Sequence, residues 1–125
     1  MNGRILVIDD NIQFQKLMAQ ALSHAGYEVI VANDGAEGLN KLKETRPSLV
    51  ILDIMMPGMD GYEVCRHIRA NPQTADIPVL MLTAKNGPRD QMQGFASGAD
   101  DYLTKDMSLL EIVQRVRSML FFATT

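Results

Sequence analysis

A chain of 125 residues, 46% hydrophobic and 22% charged, has the length and balance of one globular domain with an ordinary core. Its formal net charge of −3 and the lack of a lysine/arginine stripe argue against nucleic-acid binding by this chain alone, and no apolar run approaches the ~20 residues that span a bilayer. The single cysteine, Cys65, leaves no intrachain disulfide, and Met1-Asn2-Gly3-Arg4 opens no signal-peptide core, so a reducing cytoplasm is the expected setting.

Apolar runs alternate with helix-period segments, the pattern of βαβ units and a parallel sheet. Residues 4–8 read as a first strand that ends at Asp9-Asp10-Asn11. Ile12, Leu17, Met18, Ala21 and Leu22 then recur as one buried helix face, which Gly26 stops. Residues 27–32 form a second strand. Asn33-Asp34-Gly35 turns into a helix carrying Ala36, Leu39, Leu42 and Lys43 as far as Arg46-Pro47, where proline breaks it. The third strand, 48–52, delivers Asp53, and Pro57, Gly58 and Gly61 keep the next stretch irregular. A third helix runs from 62 to 70, with Cys65 as a small apolar residue and His67 as a surface one. Pro78 opens a fourth strand, 79–82, which leads to Thr83. Asn86-Gly87-Pro88 starts a fourth helix that passes Met92 and Phe95 to stop at Ser97-Gly98. A fifth strand, 101–104, precedes Lys105, and the last helix carries Leu109, Leu110, Ile112, Val113, Val116, Met119 and Leu120. Phe121 and Phe122 either close the core or meet a linker or partner. The pattern predicts an α/β fold, a three-layer (βα)5 sandwich, as a single domain over 1–125.

Asp9, Asp10, Asp53, Thr83 and Lys105 all follow strands, and open parallel sheets bind ligands beyond the carboxyl ends of their strands. Two carboxylates ~4 Å apart repel by about 4 kcal/mol at an effective dielectric of 20, so the cluster calls for a proton or a hard cation. Oxygen donors in an open site suit magnesium; manganese is chemically similar, whereas calcium wants more protein ligands. A carboxylate beside the metal can attack phosphorus and form an aspartyl-phosphate. Asp53 fits that role because it stands alone, while Asp9 and Asp10 form a metal-holding pair. Lys105 supplies a point charge and Thr83 a hydroxyl for the phosphoryl oxygens. Taken singly, the aspartates and Thr83 also suit caps, and Lys105 a solvated lysine. Their joint placement favours phosphoryl chemistry. Met55, Met56 and Met59 read as loop and gap-filling residues, or as an adaptable partner surface.

The segments around Asp9-Asp10-Asn11, Asp53-Ile54-Met55-Met56-Pro57-Gly58-Met59-Asp60-Gly61, Thr83-Ala84 and Gly98-Ala99-Asp100-Asp101-Tyr102-Leu103-Thr104-Lys105 resemble the receiver domains of two-component response regulators, the CheY-like superfamily. Motif type, order and spacing agree over nearly the whole chain. The resemblance implies a flavodoxin-like strand order, 2-1-3-4-5. It implies Asp53 as phosphoacceptor, and Asp9, Asp10, Asp53 and the backbone carbonyl of Met55 as magnesium ligands, with Asp9 acting more through water. Thr83 matches the switch hydroxyl, Lys105 the phosphate-binding lysine and Tyr102 the switch aromatic. Such a module takes a phosphoryl group from a sensor histidine kinase or phosphotransfer protein. It catalyses its own phosphorylation and dephosphorylation without being a dedicated enzyme. The switch then alters the face of helix 4, strand 5 and helix 5 toward a downstream protein target or effector domain.

On that face Asp100, Asp101, Glu111 and Arg115 are candidates for salt bridges across a symmetric dimer. One departure stands out: Asp106 follows Lys105 where the family usually has proline, often cis. A cis bond before a non-proline residue costs ~2.5–4 kcal/mol, so a trans bond or a strained loop is expected. Asp106 or Ser108 then caps the last helix. Met55 and Lys85 occupy the two positions that modulate phosphoryl lifetime in the family. Met55 cannot orient a water, which favours slow hydrolysis, and Lys85 either closes over the phosphate or sits in solvent. Two other classes compete. One is a protein-interaction module of the same fold without phosphorylation. The other is a magnesium-dependent phosphohydrolase, for which the chain has no spare length to build a cap.

Overall fold

The computed structural model describes residues 3–123; Met1 and Asn2 of the N-terminal segment, and Thr124 and Thr125 after the phenylalanine pair, lie outside the described residues. Ten elements alternate: β1 (Arg4–Ile8), α1 (Ile12–His24), β2 (Glu28–Ala32), α2 (Gly35–Thr45), β3 (Leu49–Leu52), α3 (Gly61–Ala70), β4 (Val79–Thr83), α4 (Pro88–Ala96), β5 (Asp101–Thr104) and α5 (Leu109–Ala123). The strands form one parallel sheet in the order β2-β1-β3-β4-β5. The three-layer flavodoxin-like arrangement is therefore the one the chain adopts.

Parallel strands buried on both faces read as continuous apolar runs. Successive side chains of a strand point to opposite faces, so one run supplies two cores. Leu6, Ile8, Val50, Leu52 and Met81 meet Leu42 of α2 and Val64, Cys65 and Ile68 of α3. Ile5, Val7, Leu49, Ile51, Leu80 and Leu82 meet Met18 and Leu22 of α1 and Ile112 and Val116 of α5. Met56 is buried in the first core and Met59 packs against it, while Met55 is exposed.

Short polar residues start the helices. Asn11, Asp34 and Asp60 accept from the backbone N–H of Phe14, Glu37 and Glu63 at 3.0, 2.8 and 2.9 Å. Caps of this kind stabilise by about 1 kcal/mol each. Ser108 caps α5, accepting from Glu111 N–H at 3.2 Å and donating to Glu111 Oε1 at 3.0 Å, which decides between Asp106 and Ser108.

Two positions expected on the buried face of α1 lie outside it, and apolar residues of other helices also face solvent. On α1 the buried positions are Gln15, Met18 and Leu22, and Ile12 and Leu17 flank that stripe in solvent. On α2 the buried face is Gly35, Gly38 and Leu42 rather than Ala36; a Cβ on Gly38 would lie 2.5 Å from Ile8 Cδ1, so the helix rests directly on β1. On α4, Met92 is 72% exposed and Phe95 also faces out, while Gly94 is buried against Met81 and Tyr102. Leu109 lies at the edge of α5's exposed side and Leu110 is exposed. Phe121 and Phe122 do not close the core: both are exposed, their rings 5.3 Å apart and nearly perpendicular. No helix among the described residues is long and apolar enough to cross a membrane.

Candidate functional site: an acidic crevice at the strand ends

The pairing of β1 with β3 sets Asp9 and Asp10 beside Asp53, whose N–H donates to the Ile8 carbonyl at 3.0 Å. Adjacent β4 ends at Thr83, and the Lys105 N–H beyond β5 donates to the Thr83 carbonyl at 2.9 Å. One carboxylate oxygen from each of Asp9, Asp10 and Asp53 lies within 4.8 Å of the others. Asp9 and Asp53 are only 2% and 4% exposed, whereas Asp10 faces solvent. The Lys105 ammonium donates to Asp9 Oδ2 at 2.8 Å and to Asp53 Oδ2 at 3.0 Å. Asp9 Oδ1 accepts from Asn11 N–H at 2.9 Å, and Asp53 Oδ1 from Met55 N–H at 3.3 Å. Asp9, Asp10, Asp53 and Lys105 thus meet beyond the ends of β1, β3 and β5, while Thr83 ends the intervening β4.

The electrostatics follow from burial. Desolvation pushes the Asp9 carboxyl above its ordinary range, hydrogen bonds from Lys105 and Asn11 pull it back, and the charge of Asp53 raises it further. Burial alone would lower Lys105, but its hydrogen bonds to Asp9 and Asp53 outweigh that and hold the ammonium above its usual value. Three carboxylates against one ammonium leave two formal negative charges in excess (3 − 1 = 2). An all-oxygen donor set with one member open to water fits a hard divalent cation that retains part of its hydration shell. Beside the cluster lies an open cleft of about 450 Å³ lined by Asp10, Met55, Met56, Asp60, Tyr62 and Lys85.

Thr83 is fully buried, and its Oγ1 accepts from Lys85 N–H at 3.4 Å. Tyr102 is inward and buried, its hydroxyl donating to the Lys85 carbonyl at 2.7 Å. Burial, then Tyr62 and the charges of Asp90 and Asp53, push the Tyr102 phenol up to about 12. Lys85 is partly exposed, and its ammonium lies 3.8 Å from Asp90 Oδ1.

No cis peptide bond occurs among the described residues, so Lys105–Asp106 is trans. Asp106 is exposed and accepts from the Thr104 hydroxyl rather than pairing with Lys105. Asp100 and Asp101 pair within the chain with Arg69 and Arg115, and Glu111 binds Ser108, so these side chains all have internal partners.

Two contributors escape sequence reasoning. Tyr62 at the start of α3 donates to the Asp90 carbonyl at 3.3 Å, tying α3 to the first turn of α4. Phe14 lies with its ring centroid 4.3 Å from Lys105 Nζ. Neither carries a local signal, because each finds its partner only through strand order.

Residues 5–117 match the family model described as the response regulator receiver domain. Over 117 residues the chain is 48% identical to the DNA-binding dual master transcriptional regulator RpaA of Synechocystis, across 94% of this chain and 48% of that protein. It is 44% identical over 120 residues to PhoP of Bacillus subtilis, an alkaline phosphatase synthesis transcriptional regulatory protein, across 96% of this chain and 49% of that one. The chain therefore spans about half the length of these curated relatives. The structure of the Vibrio cholerae chemotaxis protein CheY4 superimposes with a TM-score of 0.90 at 32% identity, covering 95% of this chain and 99% of that one.

Proposed function

The chain belongs to the response regulator receiver domain family, whose members are signalling modules rather than dedicated enzymes, and we propose that its switch is phosphorylation of Asp53. The observation that carries this reading is the Lys105 ammonium 3.0 Å from Asp53 Oδ2, with Asp9 and Asp10 oxygens within 4.8 Å. Nucleophile, counter-charge and cation donors meet at one point.

On this reading an Asp53 carboxylate oxygen attacks the phosphorus of a phosphohistidine presented by a sensor histidine kinase or phosphotransfer protein. The O–P bond forms as the P–N bond breaks, and the departing imidazole takes a proton. Lys105 exchanges part of its carboxylate contact for a phosphoryl oxygen, and the Thr83 hydroxyl donates to another. Asp9, Asp10, Asp53 and the Met55 carbonyl would hold magnesium, or manganese, which when bound screens charge on the transferred group. Water later cleaves the acyl phosphate. The Met55 side chain has no acid or amide to orient that water, so the phosphoryl group is long-lived.

Thr83 and Lys85 share the segment that Tyr102 grips through the Lys85 carbonyl. A shift of Thr83 toward the phosphoryl group therefore moves the β4–α4 connection and the face of α4, β5 and α5. That face passes the signal to a downstream protein target or effector domain and is also where a symmetric dimer would form. The proposed setting is the cytoplasm.

The test is incubation of the purified chain with magnesium and acetyl phosphate, followed by intact mass. A gain of one phosphoryl group that needs magnesium and is absent in Asp53→Asn is expected. No gain in the unsubstituted chain would overturn the proposal.

A further inference from the structure

We propose that Phe14 is a positioning residue for this crevice, its ring holding the Lys105 ammonium over Asp53. The inference rests on Asp53 being the phosphoacceptor and gives a task to a residue outside the acidic cluster. Lys105 reaches the site on a flexible four-carbon stem. Its backbone is tied to Thr83, and exposed Asp106, the next residue, accepts from Thr104 instead of pairing with the ammonium. The ammonium meets Asp9 at 2.8 Å, Asp53 at 3.0 Å and, on a third side, the Phe14 ring at 4.3 Å. A cation within about 6 Å of an aromatic face is attracted by the ring quadrupole, more strongly as water is removed. The Lys105 side chain is 19% exposed, so most of that water is gone.

The contacts close on themselves. Asp9 Oδ1 accepts from Asn11 N–H at 2.9 Å, and Asn11 Oδ1 accepts from Phe14 N–H at 3.0 Å. The Phe14 ring faces Lys105, and Lys105 returns to Asp9. The cap thus sets the first turn of α1, the turn sets the ring, and the ring sets the ammonium. Of the three groups around Lys105, the two carboxylates change partners as a cation or phosphoryl group arrives. The neutral ring does not, which makes it the constant support of the lysine through the reaction.

The experiment compares phosphorylation rates with magnesium and acetyl phosphate for the unsubstituted chain, Phe14→Leu and Phe14→Tyr, with and without Lys105→Met. Phe14→Leu is expected to slow phosphorylation roughly three- to tenfold, and Phe14→Tyr to stay within about twofold. In the Lys105→Met background Phe14→Leu should have no further effect, a result that a loss of packing alone would not produce. Separately, NMR should find the Lys105 ε-methylene protons shifted upfield by the ring, and the shift gone in Phe14→Leu. An undiminished effect of Phe14→Leu without Lys105, or an unchanged rate with it, overturns the proposal. Absence of the ring shift overturns the placement whatever the rates. A ring shift with no phosphorylation of any chain sinks the Asp53 reading, and the positioning task with it.

Discussion

Asp9 combines two demands that oppose each other: it is buried, and in its proposed role it has to be charged to hold a cation. Burial raises its pKa above the ordinary 3.8, so native Asp9 holds its proton more tightly than the unfolded chain does. The sign follows from linkage: this group's contribution to stability falls as pH rises through the window between 3.8 and the raised value. Metal binding runs the other way, since a carboxylate ligand must be deprotonated. Magnesium affinity should therefore weaken on acidification at a higher pH than an aspartate of ordinary pKa would set. Calorimetric titration of magnesium against pH checks this, and Asp9→Asn should flatten that part of the profile. A second residue-scale expectation concerns Tyr102. In an alkaline absorbance titration one phenol should ionise only at about pH 12, and Tyr102→Phe should remove that component. The polar strand-end residues were legible in the sequence because each follows an unmistakable apolar strand. Phe14 and Tyr62 were not, because an aromatic residue on a helix reads as core until its neighbour is known.

Among the elements, α3 approaches β3 so closely that only glycine fits at its first position. A Cβ on Gly61 would lie 2.3 Å from the Asp53 carbonyl oxygen and 2.7 Å from Ile54 Cα, and backbone cannot step aside as a flexible side chain can. Gly61→Ala should destabilise by about 1–3 kcal/mol, as overpacking does, seen as a lower urea midpoint. It should also slow phosphorylation at Asp53, because the displaced atoms belong to the proposed phosphoacceptor. Glycine also shapes two helix faces that periodicity leaves undecided. Ala36 on α2 and Met92 and Phe95 on α4 are apolar yet lie outside the buried faces. The faces against the sheet are built instead around Gly38 and Gly94, where the helix backbone touches Ile8 or Met81 and Tyr102. A missing side chain leaves no hydrophobic signal.

At the scale of the whole molecule, Arg69 joins segments that are distant in sequence. Its guanidinium donates to the carbonyls of Gly98, Ala75 and Ile77 at 2.9, 3.0 and 2.7 Å, and to Asp100 Oδ2 at 2.7 Å. Asp100 in turn accepts from Val79 N–H at 2.8 Å, so one side chain links α3, the start of β4 and the approach to β5. Arg69→Met should cost about 2–3 kcal/mol in urea unfolding through acceptors left without a charged donor, while Asp53 still accepts a phosphoryl group. Local patterning determined the element types, their order and the polar residues at each strand end, since periodicity, proline and glycine act over a few residues at a time. The strand order entered through family resemblance rather than through pattern, and the structure carries it in the pairing of β1 with both β2 and β3. Which helix face is buried, which intrachain partners Asp100, Asp101 and Lys85 find, and where the Phe14 ring lies were decided only by tertiary structure. Each depends on contacts between residues far apart in the chain, and those distances are set when the sheet closes its two cores.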